Sequence, residues 1–391
     1  MKRELSMRRW LGWVLVGVLA WGQGVQAQPM PQPPGIEAKA FLLMDVTANQ
    51  VLAEFNADQP VEPASLTKLM TAYLVFDALK LKKIRLDQKV PVSVRAWKMP
   101  GSRMFIDPKM EVPVEDLIKG MIVQSGNDAT VLLAEAVGGS VERFVELMNQ
   151  QAKVLGMNQT GYRNPEGLTA PGHQTTARDL ATLATRLVRD FPEEKAYYAI
   201  KKYRYPGTPA ANDTNRNLLL FKDPTVDGLK TGHTEAAGYC LIATAHRPMA
   251  SGQERRLMAV VLGARSELAR AQEAQKLLNW GYATFEGVRI FEAKKPVVSA
   301  KVWKGKADQV GLGSDRDIVV AVPQGQASQI KTEAAHRSPL MAPLNAGDVL
   351  GEFKVTLDGK PLRTVPLTAL EGVDSAGLLG RAWDALRLWI R

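Results

Sequence analysis

The stretch Pro63-Ala64-Ser65-Leu66-Thr67-Lys68 opens an apolar-rich helical pattern in which Leu69, Met70, Tyr73 and Leu74 follow Leu66. Residues three apart share one face of a helix. Ser65 and Lys68 are therefore expected to touch, with Ser65 in the first turn. Serine is a weak nucleophile until a base takes its proton. A lysine can be that base only when neutral, which requires burial or a second cation nearby. Spacing alone does not decide the matter, because Ser328 and Lys331 repeat it. The rest of the chain must separate the two pairs.

A length of 391 residues allows two or three domains and a sizeable core. With 46% hydrophobic and 23% charged residues the composition is that of a globular protein. The formal net charge of +10 suggests an anionic neighbour, either nucleic acid or a membrane or wall surface. No basic run with interleaved aromatics and no zinc-finger spacing occurs, which argues against nucleic acid. The single cysteine, Cys240, cannot form an intramolecular disulfide, and its apolar run Tyr239 to Ala243 marks it as a small buried hydrophobe. His173, His233, His246 and His336 are scattered, without HExxH or cysteine partners, so neither a metal site nor a cofactor is expected.

Residues 1–27 read as an export signal: Lys2, Arg3, Arg8 and Arg9 in front, an apolar core from Leu11 to Trp21, and Val25-Gln26-Ala27 as a small-x-small cleavage site. The apolar run is short for a membrane span. Residues 28–38 are proline-rich and expected to be extended. Ala40 to Asp45 and Val51 to Phe55 read as a strand hairpin. The helix carrying Ser65 and Lys68 should run to about Lys80, apolar on most faces and therefore central and buried. Pro91 to Pro113 looks irregular. Helices are expected over Val114 to Gln124, Asp128 to Val137, Ser140 to Leu155 and Thr176 to Asp190. Strands follow at Leu229 to Thr234, Tyr239 to His246 and Arg256 to Ala264, then a helix from Ser266 to Trp280. Alternating runs after Gly287, such as Ile318 to Val322 and Phe353 to Leu357, suggest a small all-β domain to about Val373. In the last segment, 374–391, the stretch from Gly377 carries Leu379, Ala382, Trp383, Leu386, Trp389 and Ile390 on one side and Arg381, Asp384, Arg387 and Arg391 on the other. That is the pattern of a helix lying in a membrane interface; docking on the β domain is the alternative.

Amide hydrolysis by serine needs a nucleophile, a proton path, an oxyanion hole and a grip on the substrate. Ser65 and Lys68 supply the first two. Ser125-Gly126-Asn127 interrupts two helices, where both side chains can be presented. Lys230-Thr231-Gly232 lies on a strand, and Gly232 lets a substrate backbone approach. Each tripeptide is common, but Ser-x-x-Lys, Ser-x-Asn and Lys-Thr-Gly in this order form the motif set of β-lactamases and penicillin-binding proteins.

The chain resembles the low-molecular-mass penicillin-binding proteins that are serine-type D-alanyl-D-alanine carboxypeptidases. The resemblance extends to Leu43-Met44-Asp45, Gln124 to Ala129, Thr176 to Asp179, Asn215-Arg216-Asn217, Val226 to Thr234 and Asn279-Trp280-Gly281, and spans essentially the whole chain after the signal. It implies an α/β (α+β) penicillin-binding/β-lactamase-like serine transpeptidase domain with an antiparallel sheet and helices over residues 39–286. A β-rich domain over 287–373 and the terminal amphipathic helix complete the chain. It further implies that Ser65 attacks the penultimate D-alanine carbonyl of a peptidoglycan stem peptide, Lys68 accepts its proton, and Ser125 relays it to the departing D-alanine. Asn127 would hold the substrate amide beside Lys230. Thr231 and Arg216 would bind the terminal carboxylate, and the N–H groups of Ser65 and His233 would form the oxyanion hole beside Gly232. β-Lactams would acylate Ser65 as substrate mimics. The expected place of work is the periplasmic face of the inner membrane, with the terminal helix as a peripheral anchor.

Other readings stay open for single residues: Lys230 as a surface lysine, Arg216 as a partner of Asp213 or Asp227, and a catalytic rather than backbone role for His233. Glu166 stands where relatives often carry His or Thr before Gly-Leu. It reads as a rim residue, with activation of the deacylating water, and weak β-lactamase activity, as the alternative. For the whole chain, an endopeptidase on D-alanine cross-links and a non-catalytic wall scaffold are the competing functions.

Overall fold

The computed structural model describes residues 31–249 and 251–389. The expected export signal, the first three residues of the proline-rich segment, and Ile390 and Arg391 of the terminal helix lie outside the described residues.

The hairpin reading holds. β1 (Ala40–Asp45) and β2 (Gln50–Phe55) pair antiparallel, with Phe41 opposite Phe55 and Asp45 opposite Gln50. A 3-10 turn (Ala64–Thr67) leads into α1 (Lys68–Lys80). The stretch expected to be irregular holds only short elements: β3 (Lys89–Pro91), α2 (Val94–Trp97) and β4 (Glu111–Pro113). Next come α3 (Val114–Val123), α4 (Asn127–Gly138), α5 (Val141–Val154), α6 (Ala177–Asp190) and the short α7 (Leu219–Lys222). Ser140 and Thr176 cap α5 and α6 by accepting the N–H groups of Arg143 and Asp179. Gly139, in the left-handed region at φ 77°, ends α4. β5 (Val226–Thr234), β6 (Gly238–Pro248) and β7 (Glu254–Ala264) precede α8 (Glu267–Thr284).

The five strands form one antiparallel sheet in the order β2-β1-β7-β6-β5, which leaves β5 on an edge. Successive side chains of a strand point to opposite faces, and here both faces are covered. Ala40 and Leu42 of β1, Ile242 of β6 and Val260 and Leu262 of β7 enter the core shared with α1, α3, α4, α5 and α6. Phe41 and Leu43, Leu241 and Ala243, and Ala259 and Val261 enter the core shared with α8. Continuous apolar strands are what a sheet buried on both sides requires. Cys240 is buried in the first of these cores, as its apolar run indicates. α1 runs through the same core with Leu69, Met70, Ala72, Val75 and Phe76 fully buried.

The C-terminal region is all-β. β8 (Phe285–Phe291) pairs with β11 (Ile318–Pro323). The sheet ordered β12-β14-β15-β10-β9-β13 combines Ile330–His336, Val349–Leu357, Lys360–Ala369, Gln309–Gly313, Pro296–Trp303 and Leu340–Met341. It is tied to the first hairpin by side chains. Arg363 donates to the carbonyls of Ala48 and Val319 at 2.9 and 2.8 Å, and the Gln50 side chain accepts the Ala321 N–H at 2.7 Å. The second Ser-x-x-Lys falls here: Ser328 lies in a 3-10 turn and Lys331 on the edge strand β12, both exposed to solvent. α9 (Leu378–Trp389) follows, touching the β region where Asp384 accepts the Lys304 N–H at 2.6 Å.

Candidate active site

Ser65 sits in the 3-10 turn and Lys68 begins α1. The sequence spacing suggests an α-helical turn around Ser65; the chain adopts the tighter helix, in which positions i and i+3 eclipse. That stacks the two side chains, and Lys68 Nζ lies 3.0 Å from Ser65 Oγ. The same nitrogen is 2.7 Å from Asn127 Oδ1 and 2.6 Å from the Glu166 carbonyl oxygen. The Asn127 amide cannot flip, because its Nδ2 donates to the Pro100 carbonyl at 2.7 Å. Two of the three neighbours of Nζ are thus oxygens with no proton to give. A neutral amine has two N–H donors and one lone pair. Donating both to Asn127 and Glu166 leaves the lone pair facing Ser65, whose hydroxyl then donates to it.

Lys68 is 2% exposed and Lys230 3%. The Lys68 amine is pushed down to about 7, chiefly by burial; Glu166 and Asp128 act in the opposite direction and the Arg216 charge adds to the lowering. Lys230 is also held well below the usual lysine range, by burial and then by Lys68, Arg216 and Arg270. Its Nζ donates to the Thr231 carbonyl at 2.9 Å. Lys230 is therefore a buried member of the site and not a surface strand lysine.

Ser125 lies between α3 and α4 with φ 58°, and its Oγ is buried without a hydrogen-bond partner among the described residues. Arg216 donates to Ser102 Oγ at 2.7 Å. The alternative partner Asp227 is instead bound by Arg256 at 2.6 Å, by Thr244 at 2.6 Å and by Lys195. The exposed His233 ring stacks on Tyr239 at 4.0 Å between centroids, and no carboxylate among the described residues pairs with it.

Close approach of backbones sets the rest. A Cβ on Gly232 would lie 3.1 Å from the Ser65 nitrogen and 3.2 Å from Ala64 Cβ, so β5 runs directly against the 3-10 turn that carries Ser65. Gly167, at φ +94°, passes closer still: a Cβ there would lie 1.9 Å from the Ala64 carbonyl oxygen. The 164–168 segment is fixed by Asn164, whose Oδ1 accepts the N–H groups of Gly167 and Leu168 at 2.7 and 3.1 Å. Thr71 Oγ1 donates to the Pro165 carbonyl at 2.7 Å. Behind it, buried His173 is pushed down to about 4 by burial. Its neutral ring accepts the Arg163 N–H at Nδ1, so Nε2 carries the proton and donates to Thr67 Oγ1, each at 2.9 Å.

Three contributors carry no motif. Asp128 is fully buried, and its carboxylate accepts the N–H groups of Met104, Phe105 and Ala129 at 2.8–2.9 Å, which pins the segment carrying Pro100 and Ser102 over Asn127. Ser102 meets Arg216. Arg270 of α8 is 4% exposed and adds positive charge behind Lys230. The acid next to Asn127 in sequence was the one available signal for Asp128, since an acid in the first turn of a helix reads equally well as a dipole partner. Glu166 is 5% exposed, so it is not on the rim, and its backbone carbonyl meets Lys68.

Residues 27–266 match the family described as D-alanyl-D-alanine carboxypeptidase, and residues 285–375 match the C-terminal domain of penicillin-binding protein 5. The chain belongs to the D-alanyl-D-alanine carboxypeptidase family. It is 42% identical to D-alanyl-D-alanine carboxypeptidase DacC of Escherichia coli (strain K12), over 92% of this chain and 90% of that one. Penicillin-binding protein 5 from Haemophilus influenzae superposes with a TM-score of 0.80 at 38% identity, covering 88% of this chain and 100% of that one. Penicillin-binding protein D2 from Listeria monocytogenes, solved in its ampicillin-bound form, covers 64% of this chain and all of its own, with a TM-score of 0.57 and 32% identity. This carboxypeptidase is therefore a serine-type hydrolase with an α+β catalytic domain and an all-β C-terminal domain, as its motifs imply.

The packing of β5 against the 3-10 turn that carries Ser65 is open to a direct test. Gly232→Ala should leave the melting temperature within a few degrees of wild type. It should also cut the second-order rate of acylation by a fluorescent penicillin roughly 10²-fold, as expected for a displaced nucleophile. Unchanged acylation would mean that the close approach has no functional weight.

Proposed function

We propose that Ser65 is the nucleophile and Lys68 its base in the removal of the terminal D-alanine from peptidoglycan pentapeptides. The observation that carries this reading is the buried Lys68 amine at 3.0 Å from Ser65 Oγ, with its other two contacts made to carbonyl oxygens. As Ser65 Oγ bonds to the penultimate D-alanine carbonyl carbon, its proton passes to Lys68. The N–H groups of Ser65 and His233 stabilise the oxyanion, a contribution of about 3 kcal/mol per donor in comparable sites. Collapse breaks the C–N bond, and Ser125, whose hydroxyl has no competing partner among the described residues, relays the proton to the leaving nitrogen. Water then hydrolyses the acyl-enzyme and restores Ser65.

Substrate grip follows from the same groups. Asn127 and Lys230 face the scissile amide, and Thr231 and the fork of Arg216 take the terminal carboxylate, which in the free enzyme leaves Arg216 on Ser102. The free edge of β5 can add the stem peptide as a further strand. β-Lactams acylate Ser65 as substrate mimics.

The same reading extends to location. The proposed signal over 1–27, the catalytic domain over 39–286, the β domain over 287–373 and the terminal segment 374–391 describe an exported enzyme held at the periplasmic face of the inner membrane. α9 supports the last step: Leu378, Leu379, Trp383 and Trp389 are 61–89% exposed on a helix carrying Arg381 and Arg387. No helix among the described residues is long and apolar enough to cross a membrane.

Two experiments test these points. Wild type should release D-alanine from a pentapeptide at least tenfold faster than it cleaves a cross-linked dimer, and Ser65→Ala should lose both D-alanine release and labelling by fluorescent penicillin; faster dimer cleavage would make it an endopeptidase, and equal labelling of Ser65→Ala would remove the serine mechanism. Deleting residues 377–391 should move the active enzyme from the membrane pellet to the supernatant. Continued pelleting would reject α9 as the anchor.

A further inference from the structure

One carboxylate beside the site is held in place without a cation to balance it. Glu62 lies just before the 3-10 turn that carries Ser65 and is half-buried. Its Oε2 accepts from Thr169 Oγ1 at 2.7 Å and from Thr234 Oγ1 at 3.2 Å. Thr234 Oγ1 itself accepts the Ala237 N–H at 3.0 Å, so its own proton is the one given to Glu62. One carboxylate oxygen is thus tied both to the end of β5 and to the loop after the 164–168 segment. Among the described residues the other oxygen accepts no hydrogen bond, and no Lys or Arg pairs with the carboxylate. His173, an ionisable side chain that its charge reaches, is neutral. A cavity of about 460 Å³ opens beside it, lined in part by Pro60, Thr169, Ala170 and Pro171. A carboxylate drawn partly out of water is normally paired.

The register of the substrate on β5 decides what can pair with it. β5 runs from Val226 to Thr234 along a free edge of the sheet. With the terminal carboxylate on Thr231 and the oxyanion on the His233 N–H, the peptide lies antiparallel to β5. Strand residues advance by roughly 3.3 Å each. The third residue from the carboxyl end therefore comes one step past the scissile carbonyl, beside Thr234, where Glu62 is bound. The opposite end of the groove is cationic: Arg216 is there, and the Arg270 guanidinium donates to its carbonyl at 3.4 Å. A peptide that is anionic at its carboxyl end and cationic two residues earlier matches both ends.

We propose that Glu62 selects for a cationic side chain at this third residue, so that the enzyme prefers stem peptides carrying a diamino acid with a free amine there. The proposal rests on the reading of the chain as a pentapeptide carboxypeptidase. An ammonium brings three donors, and one of them can take the free oxygen of Glu62 while Thr169 and Thr234 keep the carboxylate aimed. Such a charge-assisted bond is stronger than a neutral one. Acylating the amine removes its charge and leaves the carboxylate unpaired. Glu235, which follows β5, is exposed and has no such threonine contacts among the described residues.

The test measures kcat/KM for D-alanine release by the full-length enzyme from pentapeptides that differ only at the third residue, which is lysine, Nε-acetyl-lysine or norleucine. Titration with fluorescent penicillin counts the active sites in each preparation. Wild type should favour lysine over the other two by roughly tenfold or more, and the preference should shrink as salt is raised. Glu62→Gln keeps the shape and an acceptor for the threonines, and should bring the lysine peptide down to the level of the acetylated one. Glu235→Gln should retain the preference. Each ratio is taken within one preparation, so a loss of folded enzyme cancels. Equal rates on the three peptides in wild type, or a preference undiminished in Glu62→Gln, would overturn the proposal and leave the carboxypeptidase reading standing. If wild type releases D-alanine from none of them, that reading falls and the proposal falls with it.

Discussion

The structure depends on keeping one amine dry within reach of one hydroxyl. Lys68 is useful as a base only when neutral, and an exposed lysine titrates near ~10.4. Its burial is supplied by four separate parts of the chain: the 3-10 turn before it, Asn127 at the head of α4, the 164–168 segment, and β5 with Lys230. None of these is near another in sequence, so the charge state of Lys68 is a property of the tertiary fold. The two carbonyl-type acceptors do more than anchor it. When the amine is neutral they occupy both its N–H donors and leave the lone pair toward Ser65.

That arrangement explains why the site is built from glycines at two contacts. Gly167 lets the 164–168 segment meet Ala64 at a distance no side chain would permit, and Gly232 lets β5 meet Ala64 and Ser65 at a distance a Cβ would crowd. The sheet behind β5 is sealed on both faces, by α1 and α3–α6 on one side and α8 on the other. β5 therefore cannot recede without opening a core. Rigid support at the back and an open edge at the front are compatible because β5 is the terminal strand.

Much of this was legible in the sequence. The hairpin, the buried central helix, the helices starting near Ser140 and Thr176, and the three motifs each rest on local pattern, and each element forms close to its expected bounds. β8 and β12 were not legible. Six of the seven residues of β12, including Lys331, Thr332 and Glu333, are exposed, so no alternation of apolar residues marks that edge strand. β5 starts at Val226, ahead of the expected Leu229, because its pairing with Ala245 is a tertiary event. At the site, Ser65, Lys68, Asn127 and Lys230 could be named because their spacing is regular. Asp128, Ser102 and Arg270 could not, since each acts on a segment distant in the chain. Glu166 was visible as a departure, but its burial, which decides its chemistry, was not. The two Ser-x-x-Lys pairs show the same point: identical spacing gives a buried, lowered amine at Lys68 and a solvated one at Lys331.

The central claim is that burial lowers the Lys68 amine far enough for its neutral, basic form to be well populated at physiological pH. Its most direct test is an NMR titration of the Lys68 side-chain nitrogen in the free enzyme. A transition centred near pH 7, removed from the main body of lysines, is the predicted result. A Lys68 signal that remains that of an ammonium up to about pH 10, the ordinary lysine range, would contradict it.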